Sequence, residues 1–109
     1  MQTKIAFFDI DGTLIDMQSK RITEKTLEAL QRLRAGGVKI CLATGRSPVA
    51  LPVFPGVEFD VCLTFNGSLC YTAAGETIFS NPIAHEDVQK IVANGAAIGR
   101  PVCVSGRDR

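Results

Sequence analysis

Two carboxylates one residue apart and followed by glycine, Asp9-Ile10-Asp11-Gly12-Thr13, are the residues of this chain best suited to chemistry. Such a pair can divide labour: one carboxylate attacks as a nucleophile while the other exchanges protons with the leaving group. Gly12 leaves room for backbone N–H groups to approach an anion, and the hydroxyl of Thr44, beside Gly45, can hydrogen-bond a phosphoryl oxygen. The plain alternatives for Asp-x-Asp-Gly are an Asx turn and a calcium loop. A calcium loop continues with oxygen ligands at regular offsets up to a closing glutamate, and here Leu14 and Ile15 come next.

Strand ends must hold these groups. Residues 4–8 (K-I-A-F-F) form a short apolar run ending on the acidic cluster, as a buried parallel strand does when it feeds a loop. Thr23 reads as a helix N-cap, with Ile22 and Leu27 spaced as a hydrophobic staple. Leu27, Leu30 and Leu33 share one face of the helix that follows, and Gly36-Gly37 stops it. Residues 38–43 (V-K-I-C-L-A) are the next strand, so the first part of the chain is a right-handed strand, helix and strand unit. Pro48, Pro52 and Pro55 rule against a long helix over 47–59. A third strand spans 60–65 and ends at Asn66-Gly67, placing Asp9/Asp11, Thr44/Gly45 and Asn66/Gly67 at three strand ends over one crevice. Residues 68–71 and 76–80 flank a glycine-bearing loop as a hairpin, a helix is expected over 85–98, and 101–105 (P-V-C-V-S) reads as a last strand.

At 109 residues, 46% hydrophobic, 21% charged and with a net charge of +1, this is the composition of an ordinary globular protein with nothing to steer it toward nucleic acid. No apolar run approaches a membrane span and the start lacks a signal-peptide layout, so a cytoplasmic location is expected, with no membrane partner. Cys41, Cys62, Cys70 and Cys103 show no paired or metal spacing and read as buried free thiols.

Asp9-Ile10-Asp11-Gly12-Thr13-Leu14 resembles the first motif of the haloacid dehalogenase-like superfamily. Ala43-Thr44-Gly45-Arg46 resembles the second motif as it occurs in the Cof-like sugar-phosphate phosphatases, and Asn66-Gly67 is similar to that subfamily as well. The resemblance implies an α/β fold: the N-terminal half of a three-layer, parallel-sheet core over residues 1–81, then the beginning of an α/β cap domain over 82–109. It implies a magnesium-dependent phosphatase whose partner is a small phosphorylated metabolite. Asp9 would form an aspartyl-phosphate, Asp11 would serve as acid and base, and Gly12, Thr44 and Gly45 would bind phosphate. Asp9 and the backbone carbonyl of Asp11 would bind the metal, and residues 14–22 would shield the site.

The family's third-motif lysine and fourth-motif acidic pair are expected beyond residue 109. The sheet strand that carries the acidic pair lies beside the first strand in that family. The 109-residue chain alone is therefore expected to be marginally stable, to associate through an exposed sheet edge, and to have little or no activity. Arg46 fits a contact with substrate phosphate or cap, and equally a surface arginine; Asn66 and Gly67 fit a substrate contact or simply a turn. Asp16 reads as solvated, His85 as a helix start, and Thr64 and Ser68 as structural. Phosphohexomutases share the Asp-x-Asp-Gly-Thr opening, so a phosphotransferase and a non-catalytic binding remnant stand beside the hydrolase.

Overall fold

The computed structural model describes residues 2–109; Met1, the first residue of the expected core, lies outside them. Strands β1 (Ile5–Phe8) and β2 (Lys39–Ala43) pair in parallel, from Ile5 opposite Lys39 to Phe8 opposite Leu42. Parallel neighbours need a crossover, and helix α1 (Glu24–Ala35) supplies it. Thr23 caps it as its residue type predicts: its backbone is extended and its hydroxyl accepts the Thr26 N–H at 3.2 Å. Ile22, Leu27 and Leu33 pack against the core, in which Leu30 is buried. At the other end the N–H groups of Gly36, Gly37 and Val38 bond back to the carbonyls of Arg32, Arg34 and Leu33. Gly37 has φ +87°, a left-handed conformation that favours glycine.

From β2 the chain reaches β3 (Val61–Thr64), again parallel, through an irregular segment with one 3₁₀ turn at Pro48–Ala50. Three prolines there leave too few backbone donors for anything longer. The hairpin of β4 (Leu69–Thr72) and β5 (Thr77–Ser80) then continues the sheet antiparallel, giving the order β1-β2-β3-β4-β5. The α/β class agrees with the sequence reading, with α1 as the helical layer packed on β2.

The core joins Leu30, Ile40, Leu42, Phe54 and Phe59 to three residues of the loop after β1: Ile10, Leu14 and Ile15. The acidic cluster is therefore bracketed by core residues. β1 occupies one edge of the sheet, with Ile5 47% and Phe7 53% exposed.

Helix α2 (His85–Ala97) forms as predicted, but residues 101–105 do not form a strand. A β-prone run becomes a strand only through a partner's ladder, and this one lies on α2 instead. Arg100 N–H bonds to Gly95 O at 2.8 Å, and Val102 fills the space that a side chain at Gly95 would need. Arg107 ties the segment back: it donates to Thr77 Oγ1 at 2.8 Å and Gly75 O at 2.5 Å, with its guanidinium 4.9 Å from the centre of the Tyr71 ring. The same arrangement corrects the reading of Cys103, which is exposed, whereas Cys41 and Cys70 are buried and Cys62 is half-buried; all four are free thiols. Among the described residues, no helix is long and apolar enough to cross a membrane.

Candidate active site

Residue alternation decides where the two aspartates go. Asp9 and Asp11 flank Ile10, which is fully buried, and both are exposed. The carbonyl of Ile10 accepts the N–H groups of Thr13, Leu14 and Ile15 at 3.2, 3.0 and 2.9 Å, so the loop is wound about that one atom. Gly12 permits the winding with φ +81°. Its own N–H is committed to Ile15 O at 2.9 Å, so what it adds at the surface is space. Asp9 Oδ1 accepts the Ile10 N–H at 2.9 Å.

The β2 end is fastened to the β3 end. Thr44, buried, receives the Asn66 N–H on its carbonyl at 2.9 Å and gives its own N–H to Leu63 O at 2.9 Å. Its hydroxyl oxygen accepts the Arg46 N–H at 3.0 Å. Gly45 lies against the Asn66 side chain, whose Oδ1 would be only 3.0 Å from an added Cβ. Phe65, Asn66 and Gly67 run through φ +50°, +56° and +93°, a left-handed succession that turns the chain back toward β4. Two non-glycine residues in that region store local strain of about 1 kcal/mol or more each. The structure thus brings Thr44, Gly45, Asn66 and Gly67 together.

Arg46 joins this pair of loops to the aspartate loop. Its Nη2 donates to Asp11 Oδ1 at 2.6 Å and its Nε to Asp11 Oδ2 at 3.0 Å, a two-pronged ion pair. Its Nη1 donates to Ala50 O at 2.9 Å, and its carbonyl accepts the Phe65 N–H at 3.1 Å. The hydrogen bonds from Arg46 hold the Asp11 carboxyl below the ordinary carboxylate range, with a small further effect of the Lys20 charge. The same pair pushes the Arg46 guanidinium up. Every residue expected at the site, Asp9, Asp11, Gly12, Thr44, Gly45, Arg46, Asn66 and Gly67, lies in one of the three loops that these contacts join or follows β1 directly.

The Asp11–Arg46 bond was not legible in the chain, because partners 35 residues apart leave no local pattern, and no motif marks the Ala50 carbonyl four residues after Arg46. Asp60 was also missed. Its Oδ2 accepts the Ile40 N–H at 3.0 Å and its Oδ1 pairs with Arg34 at 3.3 Å, locking β3 to β2 and α1. Thr64 is structural as read: fully buried, its hydroxyl donates to Leu69 O at 2.8 Å. Asp16 is exposed and closes a small loop by accepting the Ser19 N–H at 2.9 Å, a bond that lowers its pKa. His85 is the exposed first residue of α2.

For a metal, Asp9 offers a carboxylate and Asp11 a backbone carbonyl. Among the described residues no group of three or more His, Cys, Asp or Glu side chains converges as a metal site would require. Magnesium takes about six oxygens in octahedral array, so these donors alone do not complete its site. A separate, mainly apolar cavity of about 600 Å³ opens between the hairpin, α2 and residues 102–107, lined by Leu69, Ile83, Val88, Ile91, Val102 and Val104. None of the aspartate-loop residues reaches it.

The sheet places paired aspartates after its first strand and a threonine-glycine loop after its second. Residues 6–109 match the family of haloacid dehalogenase-like hydrolases, and the chain belongs to that family. It is 35% identical over 92 residues to the HMP-PP phosphatase of Klebsiella pneumoniae, covering 82% of this chain and 33% of that protein. It is 31% identical over 80 residues to the pyridoxal phosphate phosphatase YbhA of Escherichia coli, covering 72% of this chain and 29% of that one. Among solved structures it resembles the subclass IIB sugar phosphatase BT4131 with a TM-score of 0.73 and 37% identity, over 89% of this chain and 38% of the other. The chain thus spans about a third of the length of the curated relatives it matches.

Proposed function

We propose that this chain is the opening part of a magnesium-dependent phosphomonoesterase that hydrolyses a small phosphorylated metabolite, a sugar phosphate above all, in the cytoplasm. Residues 1–81 would be the N-terminal half of the catalytic core and 82–109 the start of the cap domain that selects the leaving group. The observation that carries the reading is the joining of the Asp9/Asp11 loop to the Thr44–Arg46 loop by the two hydrogen bonds between Asp11 and Arg46.

In this reading Asp9 attacks phosphorus, the bond from phosphorus to the leaving oxygen breaks, and Asp11, in its protonated form, gives that oxygen its proton. Water then attacks the aspartyl-phosphate, Asp11 takes up its proton, and inorganic phosphate leaves. Thr44 and Gly45 border the phosphoryl oxygens, Gly12 keeps the approach open, and Asn66 and Gly67 form the rim. Magnesium, when bound, would neutralise phosphoryl charge; the Asp9 carboxylate and the Asp11 carbonyl would be this chain's contribution to holding it.

The incomplete donor set favours a second statement, that the 109-residue chain alone turns over little or no substrate. The test is a panel of sugar phosphates with magnesium, given to this chain and to a longer protein containing it. Hydrolysis by the longer protein that Asp9→Asn abolishes is expected; hydrolysis that survives Asp9→Asn overturns the mechanism. Enzyme-like turnover by the 109-residue chain overturns the second statement. A requirement for a sugar bisphosphate activator, with phosphate transferred rather than released, would make the protein a mutase instead.

A further inference from the structure

An arginine beside a proposed phosphate site invites the role of substrate clamp, but the bonds of Arg46 describe a different one. Nε and Nη2 are both on the Asp11 carboxylate, and Nη1 is on Ala50 O. The Arg46 backbone is fixed as well, through its N–H to Thr44 Oγ1 and its carbonyl to Phe65 N–H. All three nitrogens of the planar guanidinium thus donate to groups of the protein, from a residue whose main chain is pinned to Thr44 within its own loop and to Phe65 of the loop after β3. Asp11, in contrast, stands on an exposed loop with 40% of its side chain accessible, and no other side chain donates to its carboxylate among the described hydrogen bonds. A free aspartate on such a loop exchanges among staggered rotamers, whereas two parallel N–H···O bonds fix both of its side-chain torsions.

We infer that Arg46 is a positioning residue for Asp11, one that sets the direction of its carboxylate over the crevice and makes no bond to the substrate. This deepens the phosphatase reading and rests on it for the purpose of Asp11. Lysine cannot replace arginine here, since a point ammonium has no planar fork with which to hold both oxygens and reach Ala50 as well.

The test is side-chain NMR of the whole 109-residue chain, labelled with ¹⁵N and ¹³C. In the native chain the Arg46 Nε–H signal is expected apart from those of the exposed arginines and slow to exchange, and the Asp11 α–β couplings should be those of one rotamer. Arg46→Gln and Arg46→Lys are each expected to lose the single rotamer at Asp11 while the amide signals of β1 to β3 stay in place. An Asp11 that keeps one rotamer in either variant overturns the inference. Should both variants disturb the sheet, Asp11→Ala decides from the other side: the Arg46 Nε–H signal must move to the position of the exposed arginines, and its staying put overturns the inference. Inorganic phosphate with magnesium then separates this from the phosphatase reading. Shifts at the amides of Thr44 and Gly45 with Arg46 Nε–H unmoved support both, and an Arg46 Nε–H that follows the phosphate titration overturns positioning. Amides that ignore phosphate count against the phosphate site alone, and the Asp11 couplings still decide the role of Arg46.

Discussion

The hydroxyl of Thr64, buried and bonded to Leu69 O, is a single atom on which the third strand's turn depends. Thr64→Val keeps the shape and removes that buried bond, and a loss of about 0.5 to 1.5 kcal/mol is expected, read as a lower urea midpoint with unchanged slope. The thiols give a second expectation. Burial pushes Cys41 and Cys62 up. A group whose folded pKa is raised lends its stability fully below its unfolded pKa and withdraws it as pH rises from there through the folded value. Urea titrations at increasing pH should therefore show the midpoint falling above about pH 8.5, an effect that Cys41→Ala and Cys62→Ala each reduce. Alkylation of the native chain, followed by mass spectrometry, should label the exposed Cys103 well before Cys41. Asp9, Asp11, Thr44 and Gly45 were legible as chemistry because their neighbours in the chain mark strand ends. The partnership of Arg46 with Asp11 was not, since a hydrogen bond across 35 residues is created by the fold.

Helix α1 was readable down to its cap because everything that starts and stops it is local: the Thr23 hydroxyl, the staple of Ile22 and Leu27, and the left-handed Gly37. Thr23→Ala is expected to cost about 0.5 to 2 kcal/mol, and Leu30→Ala, which empties a fully buried site between helix and sheet, about 2 to 5 kcal/mol. Thermal unfolding followed by circular dichroism would measure both, and the second should leave the chain largely unfolded at 37 °C if its total stability is as small as an open sheet suggests. Residues 101–105 were misread for the complementary reason. Their valines carry β-propensity, but propensity without a ladder partner makes no strand, and nothing within five residues could reveal that the run would lie on α2 beside Gly95.

For the molecule as a whole, the open edge of β1 and the apolar cavity by α2 leave large hydrophobic side chains in water, among them Ile5, Phe7, Ile83 and Ile91. Self-association that rises with concentration is expected by sedimentation velocity, and charged replacements at Ile5 and Phe7, on the edge strand, should reduce it. The edge was foreseeable only through family resemblance; the apolar cavity was not foreseen at all, because it arises where three separate segments meet. Strand order brings a last consequence. Since β1 to β5 lie side by side in the order in which they occur in the chain, each new strand finds its neighbour already made. A ribosome adds about 5 to 20 residues per second, far slower than helices and hairpins form, so this sheet can assemble from one side as it is synthesised, without waiting for any later residue. The flank of β1 is then the first surface to be completed and stays unpaired while every other strand is laid down.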